Sequence, residues 1–160
     1  MPVRYVVIIV VFTLLALLAW PYVYLYRLDR AVTDNDLPTM ESLVDIEAVR
    51  DEMKRKVDKG LSSTIGGNPG SVMGWIQEGV KQLGERAVDM AVDVQWVRST
   101  LLARHSTEGT DATSFLSHTT YAFFESYDRF LVRVGELGES PVHMRMTLGS
   151  GGWRVTGIYD

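Results

Sequence analysis

YVVIIVVFTLLALLAWPYVYLY, residues 5–26, carries no charged side chain, and its reading decides how the rest of the chain is arranged. As a helix rising ~1.5 Å per residue the run is about 33 Å long, enough to cross the hydrocarbon of a bilayer with some tilt. Arg4 flanks one end, and Arg27, Asp29 and Arg30 flank the other. Trp20, Tyr22, Tyr24 and Tyr26 supply rings that are apolar in body and polar at the tip, which suits the membrane interface. Pro21 predicts a bend or a thinning of the helix at that point. A cleaved signal sequence opens in the same way, with Arg4 as its positive end and residues 5–19 as its apolar core. Such a signal needs a small-x-small cleavage site, and Leu17, Leu18, Ala19 and Trp20 do not provide one. The run therefore reads as an uncleaved, single-pass anchor. One arginine and the amine on the short side face two arginines on the other, so the positive-inside rule leaves the orientation open.

With 160 residues in all, the remainder suffices for one small domain with its own core. Twenty acids stand against sixteen bases, and all but one of those bases lie beyond the apolar run. A mildly acidic domain lacks the concentrated basic surface that phosphate backbones require, so nucleic acid is not expected as a partner. The absence of cysteine excludes disulfides, thiolate nucleophiles and cysteine metal sites, and suits either redox compartment.

Helical signals continue through Leu25, Leu28 and Val32 until Asn35 and Asp36 form a polar turn. Asp36 predicts the cap of a short helix holding Met40, Leu43 and Val44, with Pro38 in its first turn. Asp45 predicts the next cap. Behind it Ile46, Val49, Met53, Val57 and Leu61 form one apolar stripe, with Asp51–Arg55 and Glu52–Lys56 pairs on the wet face and Gly60 as a stop. Residues 62–74, rich in glycine, read as a loop. A third helix follows with Val72, Trp75, Ile76, Val80, Leu83, Ala87 and Met90 facing inward, and Asp93 caps a last short helix through Val94, Val97 and Leu101. After a polar stretch over 105–113 the period changes to two. Residues 119–125, 127–134 and 142–148, with Trp153 and Val155 beyond a turn at 149–152, predict an antiparallel meander of three or four strands. The expected fold class is α+β: an anchor and juxtamembrane helix over 1–35, then a domain over 36–160 with a helical half (36–105) and a sheet (118–160).

The segments AWPYVYLYRLDRA (19–31), VDIEAVR (44–50), AVDMAVDVQWVRSTL (87–101), the strand at 128–134 and GWRVTGI (152–158) together resemble a family of bacterial membrane-associated proteins grouped as domain of unknown function 2939. Ile46 and Glu47 stand where that family usually has an aromatic residue and a proline, and Asp93 where a threonine often caps the last helix. The resemblance implies a bacterial domain anchored in the inner membrane and facing the periplasm, and implies no activity. Small helices followed by a curved sheet also look like the cone-shaped nuclear-transport-factor-like folds, an analogy of fold alone.

No catalytic residues, cofactor site or metal site emerge. His105, His118 and His143 lack ligand spacing and read as solvated or structural. The glycines at 66–74 lack the lysine and following hydroxyl of a phosphate loop, and Ser150 among glycines lacks the spacing of a nucleophile elbow. Asp45 with Arg50 and Asp89 with Asp93 are explained by capping and solvation. The sheet offers more. Alternation places Arg129, Arg133, His143, Arg145 and Arg154 on one face, a basic patch suited to anionic lipid or an acidic partner, against the plainer reading of a solvated sheet face. The preferred expectation is a non-enzymatic, membrane-tethered interaction module that assists or assembles another membrane protein or complex. The alternative is a small-ligand or lipid carrier with Met90, Phe123, Met144, Met146 and Trp153 around a cleft; their other reading is plain core.

Overall fold

The uncharged run forms a helix that continues well past its own end: α1 spans Val3–Thr33 and passes Pro21 without interruption. The computed structural model describes residues 3–62, 86–103, 114–135 and 141–159. All but the first residue of the loop expected at 62–74, most of the third helix and the polar stretch at 105–113 lie outside them, and Ser62 itself is helical.

Beyond α1, Asn35 takes a left-handed φ of 54° and turns the chain. Asp36 accepts the Thr39 N–H at 3.2 Å and so caps α2 (Leu37–Leu43), with Pro38 in the first turn as expected. Hydrogen bonding to Thr39 holds the Asp36 carboxyl below the usual aspartate range. Val44 then extends and forms a parallel bridge with Val155, while the Asp45 N–H donates to the Val155 carbonyl at 2.8 Å. This short pairing covers the edge of the sheet. The Asp45 carboxylate accepts the Ala48 N–H at 3.1 Å and opens α3 (Ile46–Ser62), which runs two residues past the glycine expected to stop it. After α4 (Arg86–Ala91), Asp93 accepts the Trp96 N–H at 2.7 Å and caps α5 (Val94–Ala103). A 3-10 turn at Phe115–His118 leads into the sheet.

Four strands, β1 (Thr119–Ser126), β2 (Arg129–Val134), β3 (Val142–Gly149) and β4 (Gly152–Tyr159), form an antiparallel meander in sequence order. Tyr127 and Asp128, expected to open the second strand, instead form the turn before it. One sheet face is apolar, with Phe130, Val132, Val134, Met144, Met146, Trp153, Val155 and Ile158 buried against the helices. Thr156 is extra in β4, since Arg145 pairs with Gly157 and Met146 with Val155, and this bulge restores the alternation on both sides of it.

The helices complete the core with Leu25, Leu28 and Val32 of α1, Met40 and Leu43 of α2, Val49 and Met53 of α3, and Val97 and Leu101 of α5. Val3 to Trp20 are all exposed, whereas α1 from Pro21 onward packs into the core of the domain. Each large aliphatic side chain buried there contributes roughly 1.5–3 kcal/mol.

Two helix readings need correction. Met90 is 80% exposed, and Val88 takes the inward position in α4. Glu52 is not on the wet face, because α3 packs beside β4 and turns this carboxylate toward Arg145. Glu52 packs over Gly157, where a methyl group at the Cα would stand in contact at 3.4 Å from the Glu52 Cγ. Arg55 pairs with Glu52 at 2.7 Å, and its Nε–H reaches only the main-chain carbonyl of Asp51, at 3.4 Å.

Candidate functional site

The register that buries one sheet face carries the opposite alternation to the other. Arg129 lies opposite Thr147, Arg133 opposite His143, Leu131 opposite Arg145, and Thr147 opposite Arg154, so the five basic residues do share one face. Each arginine has company there. Arg129 stands 3.9 Å from Asp128 and donates to the Ser126 hydroxyl at 3.2 Å. Arg133 donates to the Thr120 hydroxyl at 3.2 Å and lies over the Tyr121 ring at 4.8 Å. Arg154 stands 3.7 Å from Asp45 and donates to the Val44 carbonyl at 3.0 Å.

Arg145 is the centre of a denser group. Its guanidinium lies 3.4 Å from Glu52 of α3 and 3.3 Å from Glu125 of β1, and it donates to the Tyr159 hydroxyl at 3.3 Å. The Lys56 ammonium sits 2.9 Å from the Tyr159 ring centroid, and the His143 ring stacks on Tyr159 at 5.5 Å. Burial pushes the Tyr159 phenol above its ordinary pKa, against the pull of the Arg145 cation. Three of the four arginines thus meet carboxylates, Arg129 with Asp128, Arg145 with Glu52 and Glu125, and Arg154 with Asp45, so the face is a largely charge-compensated lattice in which Arg133 rests on Thr120 and Tyr121. Sequence reasoning missed Glu52, Glu125, Lys56 and Tyr159. Alternation along β1 carried the signal for Glu125, whereas Glu52 lies 93 residues from Arg145 and nothing local announces their contact.

The aromatic residues of the apolar run divide. Trp20, Tyr22 and Tyr26 are exposed, as an interfacial role requires. Tyr22 also meets Phe130 edge-on at 4.9 Å and donates to the Ala122 carbonyl at 3.2 Å, while Tyr24 packs over Gly152. Phe124 and Trp153 join them in an aromatic cluster where α1 enters the domain.

The expected ligand cleft does not assemble. Met144, Met146 and Trp153 are closed core, Phe123 is on the other side of the sheet, and Met90 points away. A cavity of about 370 Å³ lies elsewhere, with Leu37, Ile46 and Val94 on its walls beside Glu41, Arg50 and Asp93. Arg50 is held there by donating to the Val92 carbonyl at 2.8 Å. Among the described residues no group of three His, Cys, Asp or Glu could hold a metal ion.

Fold and surface together define a class: an α+β domain whose core helix extends into an apolar segment long and apolar enough to cross a membrane. The chain belongs to the family described as protein of unknown function DUF2939, whose model matches residues 10–100, from within α1 to within α5. No curated protein and no solved structure matches it.

Proposed function

We propose that this protein is a membrane-tethered interaction module without catalytic activity, an accessory or assembly subunit of a bacterial inner-membrane complex with its domain on the periplasmic side. One observation carries the proposal. The apolar segment and the first core helix of the domain are one continuous helix, so the domain stands directly on its anchor, with no flexible tether to let it search for a distant substrate. Such a construction suits a partner held in the same membrane. The contact surfaces are the apolar segment and the strip of β2 that carries Arg129 and Arg133, where Arg129 is the more exposed of its ion pair and Arg133 is held by the Thr120 hydroxyl and the Tyr121 ring.

The test is to purify the full-length protein from its native membrane in mild detergent and identify by mass spectrometry what accompanies it. A stoichiometric membrane protein is expected, and the double substitution Arg129→Glu, Arg133→Glu should release it. Recovery of the protein alone under every mild condition would overturn the proposal. The alternative, a carrier of small ligands, rests on the cavity beside Arg50; native mass spectrometry of the same preparation would then find a small molecule that Arg50→Ala loses.

A further inference from the structure

The sheet has two hairpin turns at one end, Tyr127–Asp128 between β1 and β2 and Ser150–Gly151 between β3 and β4. Both lie where α1 leaves the domain. Phe130, which Tyr22 contacts, is two residues past the first turn, and Gly152, which Tyr24 covers, closes the second. The two turns are tied into one rim, since the Leu148 N–H donates to the Asp128 carbonyl at 2.8 Å. N-terminal to Pro21, every described residue of α1 is exposed, so along the helix the domain ends close to Trp20 and its end is this rim.

The free helix from Val3 to Trp20 is about 27 Å long at ~1.5 Å per residue, against about 30 Å for bilayer hydrocarbon. A membrane span that takes up this free helix brings the rim to the headgroup layer. At the rim Tyr127 is 88% exposed, a large ring in a two-residue turn where small and polar residues are the usual choice. Rings of this kind, apolar with one hydroxyl, partition to the headgroup layer.

We infer that the hairpin rim is a second membrane contact, with Tyr127 seated among the lipid headgroups and the sheet standing upright on the bilayer. This rests on α1 being the membrane span. The test uses the full-length protein in phosphatidylcholine–phosphatidylglycerol vesicles, with single cysteines carrying a nitroxide label; no native cysteine competes. Three variants suffice: Tyr127→Cys at the rim, Ser117→Cys beyond the opposite end of β1, and Phe12→Cys in the middle of the apolar segment. The expected result is a label at 127 several-fold less accessible to a water-soluble nickel reagent than the label at 117, with the label at 12 fully shielded. Equal accessibility at 127 and 117 with 12 shielded would overturn the rim contact and leave the anchor standing. Accessibility at 12 would overturn the anchor, and the rim contact with it.

Discussion

Asp29 is only 5% exposed, a position a carboxylate occupies at a penalty unless its oxygens are engaged. Both oxygens lie 2.9 Å from the Ser114 hydroxyl, and one also accepts the Leu116 N–H at 3.2 Å. The acid of α1 thereby caps the 3-10 turn that starts the sheet. Asp29→Ala leaves that half-buried hydroxyl and amide without this partner and should destabilise the domain by about 1–2 kcal/mol, read as a lower thermal midpoint in detergent. Tyr159 makes a prediction in pH. Its phenol titrates higher in the folded protein than in the unfolded chain, so the folded state retains the proton longer. The stabilisation is complete below the unfolded value of about 10 and is lost as pH rises through the folded one. Between pH 8 and 11 the melting temperature of Tyr159→Phe should therefore fall less steeply than that of the unaltered protein.

At the scale of elements, the caps are local devices. Asp93→Ala removes the acceptor of the Trp96 N–H at the head of α5 and should lower stability by about 1 kcal/mol, measurable by the same melts. Local devices are also what one sequence displays most clearly. Asp36, Asp45 and Asp93 each stand three residues before the N–H they accept, and the alternation of β2 and β3 needs only neighbouring residues to be seen. The basic face was legible for the same reason. What was hidden depended on elements distant in sequence meeting in space: Glu52 turned from solvent toward Arg145, Met90 excluded while Val88 went inside, and the 127–128 turn shortening a strand whose alternation starts earlier. A period can say which residues share a face, and cannot say what the face will meet.

For the whole molecule, α1 is both extension and core. Removal of residues 1–20 should leave a domain that unfolds cooperatively, because all the side chains removed are outside the described core. Removal of residues 1–33 takes away Leu25, Leu28, Ala31 and Val32, at roughly 1.5–3 kcal/mol for each larger side chain, which is comparable with the 5–15 kcal/mol stability typical of a domain. That fragment should show no cooperative melt by circular dichroism. The unbroken passage of α1 through Pro21 also sets a bearing. Side chains step around a helix by about 100° per residue, so the azimuth at which the apolar segment meets its neighbours also decides the azimuth at which the Arg129–Arg133 side of the sheet faces outward. Inserting one residue between Trp20 and Pro21 would leave both halves intact and turn one against the other by more than a quarter of a circle, like a weathervane remounted on its shaft.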